Sequence, residues 1–150
     1  MTDAEFAEIL ADPSKVIAGD LVWKPDADHS PSCEFSAEIQ SDVGWPIVVR
    51  GSYNPIAGKL TFAVIHRSDG RIYALDLGAR HHNVDGHWVG DTHKHRWAEA
   101  TADKHAYEPE DITASVTDAV QVWRQFCTEA HIRHLGELQV PPPGQDVLFA

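Results

Sequence analysis

Cysteine, basic residues and long apolar runs are all scarce in this chain, and each scarcity removes a class of protein. Two cysteines, Cys33 and Cys127, are too few for a disulfide scaffold and form no C-x-x-C pair, so both read as small buried hydrophobes. Only 12 Lys and Arg stand against 23 Asp and Glu. The resulting net charge of −11 argues against a simple nucleic-acid or anionic-membrane binder, whose phosphate contacts come mainly from Lys and Arg. The longest aliphatic stretches, Ile47-Val48-Val49 and Ala63-Val64-Ile65, fall far short of the ~18 residues that a membrane span needs. The opening Met1-Thr2-Asp3-Ala4-Glu5 lacks the basic segment of a secretory signal, so the expected location is cytoplasmic, with no membrane partner. No G-x-G-x-x-G, Walker loop, H-E-x-x-H or G-x-S-x-G occurs. Dinucleotide binding, P-loop chemistry, zincin proteolysis and serine-elbow hydrolysis are therefore unsupported.

What the chain does have is apolar material for one core, at 43% hydrophobic residues over 150 positions, and no linker or repeat. A single domain over 1–150 is expected, with a loose tail or extended strap over 137–150, where Pro141-Pro142-Pro143-Gly144 removes backbone donors. Thr2 and Glu5 have capping-box spacing ahead of Phe6, Ile9 and Leu10, which predicts a short N-terminal helix ending before Pro13. Val16 to Trp23 reads as a first extended run. Cys33, Phe35, Ala37 and Ile39 alternate with polar residues at period two, a strand with one wet face. Ile47–Tyr53, Lys59–His66 and Arg71–Leu77 are further strands, separated by turn sequences of hairpin length, and the middle one is apolar on both faces and so central. Thr92 to Trp97 is a short strand. From Asp111 onward the period is helical, with Val116, Ala119, Val120, Trp123, Phe126, Cys127 and Ala130 on one face. The fold class is therefore α+β: an antiparallel sheet of about five or six strands, a short N-terminal helix, and a long C-terminal helix packed on one face.

Charge and histidine are unevenly spread. Between Lys59 and His105, seven basic residues meet six acidic ones, so both flanks are strongly acidic while the neutral middle carries seven of the 10 histidines. On a strand, His93 and His95 share one face and Lys94 and Arg96 the other, so two imidazoles converge. Two adjacent imidazoles supply an acid and a base near neutral pH, and they equally supply two nitrogens to a metal that His81, His82, His87 or Asp91 would complete. His93-x-His95-x-x-x-Glu99 also has the spacing of the first cupin metal motif, but no second motif follows it. His29, His66, His131 and His134 read as solvated turn or strand-end residues. Repulsion among clustered imidazoles is expected to depress their pKa values and to make mild acid destabilising.

Leu75-Asp76, His82-Asn83-Val84-Asp85-Gly86, Thr92-His93-Lys94-His95 and Asp103-Lys104-His105-Ala106-Tyr107-Glu108-Pro109 together resemble the pattern of a family of small uncharacterised prokaryotic proteins. That pattern has Pro where this chain has Val84 and Thr92. The family is distantly similar to TumE-type toxin components. This resemblance implies a nucleic-acid target and a partner antitoxin.

Three functions are carried forward from the sequence. The first is a toxin- or defence-type protein acting on a phosphodiester of RNA, with His93 and His95 as an acid–base pair, His82 as a third imidazole and Lys104 as charge stabiliser. The second is a metal-binding protein that holds a divalent transition metal such as zinc with His81, His82, His93 and His95. The third is a non-catalytic acidic module that meets a protein partner.

Overall fold

The computed structural model describes residues 1–142. The chain runs through α1 (Asp3–Ala11), β1 (Lys15–Ile17), β2 (Lys24–Pro25), β3 (Cys33–Ile39), β4 (Ile47–Asn54), β5 (Lys59–His66) and β6 (Gly70–Leu77). It continues through β7 (His81–His82), β8 (Trp88–Val89), β9 (Thr92–Arg96), β10 (Ala106–Tyr107), α2 (Ala119–Ala130) and β11 (Ile132–His134). The class is α+β, and β10-β9-β6-β5-β4-β3-β2 form one antiparallel sheet of seven strands. The sheet exceeds the expected five or six strands because the two-residue β2 and β10 pair at its edges, and runs that short carry no readable period. As its two apolar faces require, β5 is the central strand.

One sheet face carries Phe35, Phe62, Tyr73 and Leu75 beneath α2. Trp123 meets Phe62 at a ring-centroid distance of 5.0 Å and Phe126 stacks on Tyr73 at 5.2 Å. α1 lies on the same face, with Phe6 and Ile9 buried near Val64, Ile72 and Ala130. Its start is capped by Thr2, whose Oγ1 accepts from Glu5 N at 3.0 Å. The end of α1 is held by a buried cation: Lys15 Nζ donates to the carbonyls of Ile9 (2.5 Å), Leu10 (2.7 Å) and Asp12 (3.1 Å).

The C-terminal helix is 12 residues, shorter than the periodicity from Asp111 predicts. Polar Thr113, Ser115 and Thr117 favour local side-chain bonding over helix, and Gln125 Oε1 accepts from the backbone N–H groups of Thr113 and Ala114. Asp118 is the N-cap. On α2 itself Val122 is fully buried and Val120 only half-buried, a correction to the expected stripe. Past the helix, β11 pairs in parallel with β1, and Gln139 N donates to Leu21 O at 2.9 Å while its own carbonyl accepts from Trp23 Nε1. Residues 137–139 are thus a strap; the remainder of the expected tail from 143 lies outside the described residues.

Candidate metal centre

The sheet face away from α2 holds the histidines. β9 pairs with β6 so that His93 lies opposite Asp76 and His95 opposite Ala74. Alternation sends His93 and His95 to one face, each 2% exposed, and Lys94 to the other, where Asp111 Oδ2 at 2.7 Å and Glu129 neutralise it. A short hairpin, β7–β8, brings His81 over the same spot. It is docked by buried Asn83, whose Nδ2 donates to Ala106 O and whose Oδ1 accepts from Ala106 N, both at 2.8 Å. The ring centroid of His81 lies 4.7 Å from that of His95 and 5.6 Å from that of His93, and one nitrogen from each of the three rings falls within 4.8 Å of the others.

Asp76 completes the cluster. Its Oδ2 sits 3.2 Å from His93 Nε2 and 3.2 Å from His95 Nε2, while its Oδ1 accepts from Thr61 Oγ1 at 2.6 Å. Each imidazole gives its other nitrogen to a main-chain carbonyl: His93 Nδ1 to Gly90 O at 3.0 Å, His95 Nδ1 to Asp103 O at 2.7 Å, and His81 Nε2 to Lys104 O at 2.8 Å. A carbonyl only accepts, so those three ring nitrogens are the donors. Nε2 of His93 and Nε2 of His95 both face Asp76.

The electrostatics follow from that geometry. Burial alone would raise the pKa of Asp76, but hydrogen bonds from His93, His95 and Thr61 and the nearby Arg71 charge outweigh it and hold the carboxyl well below its usual range. Burial would likewise lower His93, yet Asp76 and the Gly90 carbonyl raise it above its ordinary value. For His93 the direction is the reverse of the expected depression, because two of the imidazoles share a carboxylate.

The other sequence candidates lie elsewhere. His82 is exposed, with Nε2 on Gly86 O at 3.0 Å and its ring stacked on Trp88 at 4.7 Å, because adjacent residues of β7 point to opposite sides. Of the expected metal set, His81, His93 and His95 group together among the described residues and His82 lies apart from them. Lys104 is exposed and serves the cluster through its carbonyl. His87 pairs with Asp85 at 3.2 Å on the exposed turn. Glu99 accepts from Asp3 N at 2.9 Å, so the cupin-like spacing has no structural counterpart. His134, read as solvated, instead accepts from Trp123 Nε1 at 3.0 Å and contacts Gly19 O at 2.8 Å.

Asp76 and Asn83 are the residues that spacing did not single out. A lone acid within the apolar run Ala74-Leu75-Asp76-Leu77 was the available signal, since a charge in a central strand needs a partner.

Residues 1–132 match the sequence profile of DUF6978, a family of unknown function, and the chain belongs to that family. No curated protein and no solved structure matches it. No helix among the described residues is long and apolar enough to cross a membrane.

Proposed function

We propose that this protein binds a divalent transition metal, zinc by donor type, through His81, His93, His95 and Asp76. The observation that carries the reading is the outer shell: each of the three imidazoles donates one ring nitrogen to a backbone carbonyl, the arrangement that orients metal-ligating histidines. Donor spacing is tight around Asp76 and wider among the imidazoles, one nitrogen of each lying within 4.8 Å of the others. Metal bonds of about 2.1 Å at the tetrahedral angle put neighbouring donors about 3.4 Å apart, close to the 3.2 Å from Asp76 Oδ2 to each Nε2. Three nitrogens and one carboxylate oxygen suit zinc. In the absence of metal, two inward nitrogens and a carboxylate face one another, an arrangement that calls for shared positive charge.

With Asp76 drawn in as fourth donor the sphere is tetrahedral and closed, which favours a metal that organises structure or is itself the cargo, whereas His81, His93 and His95 alone leave one position open. Elemental analysis of untagged protein tests the reading. Near-stoichiometric zinc that disappears in His93→Ala and His95→Ala is expected, and absence of any transition metal from wild type after zinc loading overturns it.

The acid–base reading on RNA has one observation in its favour: Asp76 holds His93 toward its charged form, as a general acid requires. With it go the TumE-type relationship and the antitoxin partner that the resemblance implies. Cleavage of RNA that survives chelation would favour it over the metal reading. A chain that neither binds metal nor cleaves RNA would leave the interaction module.

A further inference from the structure

We infer that Arg71 is the positioning residue of the histidine cluster, acting through Asp103 to hold the two carbonyls that orient His95 and His81. The inference rests on the metal reading above and concerns how that site is kept in shape.

Arg71 owes its place to a bulge. The β5–β6 register runs Val64 to Tyr73 and then Ile65 to Arg71, so Ile72 is an extra residue in β6. Strict alternation would put Arg71 beside Tyr73 on the α2 face. The added residue turns it onto the face of Asp76 and the histidines. There its Nε donates to Asp103 Oδ2 at 2.5 Å, and Nη1 lies 3.9 Å from Asp76 Oδ2.

Asp103 and Lys104 belong to the loop after β9, where Ala102 takes a left-handed φ of 53° and its carbonyl accepts from Ala98 N at 3.0 Å. A non-glycine residue in that region is sustained by its surroundings rather than by its own preference. The loop presents two consecutive carbonyls to two imidazoles, Asp103 O to His95 Nδ1 and Lys104 O to His81 Nε2. The Asp103 side chain that anchors this loop to the sheet is the one held by Arg71. A planar guanidinium spans the anchor and the neighbourhood of the ligand carboxylate with one rigid group.

Charge and position pull in opposite directions here, which makes the inference testable. A positive side chain near Asp76 disfavours a bound cation, so removing it would tighten metal binding if charge were all that mattered. If position governs, the same removal loosens binding. Zinc affinity is measured by chelator competition on full-length wild type, Arg71→Met and Arg71→Lys, with the visible bands of bound Co²⁺ reporting ligand geometry. Arg67→Met serves as control, since Arg67 pairs with Glu38 at the surface.

Arg71→Met is expected to lose about 10- to 100-fold in affinity, the range for outer-shell partners, and to alter the Co²⁺ bands. Arg71→Lys should recover part of both, and Arg67→Met should change neither. Affinity of Arg71→Met equal to or above wild type overturns the inference. Should Arg71→Met fail to fold, Asp103→Asn and Asp103→Ala decide. Asn still accepts from Arg71 and should bind metal close to wild type while Ala loses affinity; equal losses in the two would assign the effect to charge and overturn positioning. Wild type that takes up neither Zn²⁺ nor Co²⁺ overturns the metal reading, and this inference with it.

Discussion

Asp76 and His93 are cross-strand partners in the β6–β9 ladder, and their side chains meet at 3.2 Å on the face opposite α2. The contact joins a carboxyl whose pKa is depressed to an imidazole whose pKa is raised. A raised histidine contributes stability that is complete below its unfolded value, about 6.5, and that is lost as pH climbs through the folded value. A depressed aspartate contributes stability that is complete above its unfolded value, about 3.9, and that is lost only as pH falls through the folded one. The pair therefore supports the metal-free protein most between those two unfolded values. Melting temperatures of wild type and Asp76→Asn should converge from pH 6 toward pH 9. A gap that is constant with pH would show that the pair is not linked to folding.

The two histidine groups separate by substitution. His93→Ala and His95→Ala should abolish zinc uptake, while His82→Ala and His87→Ala, on the exposed side of the hairpin, should leave the metal-to-protein ratio at the wild-type value. Loss of zinc in His82→Ala would return that residue to the ligand set.

Phe126 is fully buried between Tyr73 and Phe62, with α2 held over the sheet by these rings. Truncation to Ala leaves a cavity and should cost about 3–5 kcal/mol, read from urea unfolding. A loss below about 1 kcal/mol would mean that α2 does not depend on this contact.

Lys15 closes the last turn of α1 while almost wholly inaccessible to water, and burial draws its pKa down to about 8. In the folded chain Lys15 gives up its proton earlier than in the unfolded chain, so wild type should gain stability relative to Lys15→Met between about pH 8 and 10. At pH 7 the Met variant, with three carbonyls uncapped, should be less stable by about 1–2 kcal/mol. Equal stability at pH 7 would show that desolvating the ammonium cancels the cap.

Much of the architecture is set by local pattern. Period-two alternation places Cys33–Ile39 at the observed strand limits, turn sequences bound Lys59–His66, and alternation puts His93 and His95 together with Lys94 and Arg96 opposite. Thr2 caps α1 as its spacing requires. These features repeat within a few residues, so the chain encodes them without reference to its fold.

Contacts made across the chain are different. The helix from Asp111 begins at Ala119 because Gln125 recruits the preceding backbone, and β2 and β10 exist only as partners to longer strands. His81 rather than His82 joins the cluster because Asn83 docks the hairpin on Ala106. Arg71 reaches Asp103 because of a bulge that no alternation announces. The sequence by itself determined that the chemistry lies in a neutral, histidine-rich middle and that His93 and His95 share a face. Only the tertiary structure decided that Asp76 lies between them, since a carboxylate 17 residues upstream meets an imidazole through strand register, a property of two segments and of neither alone.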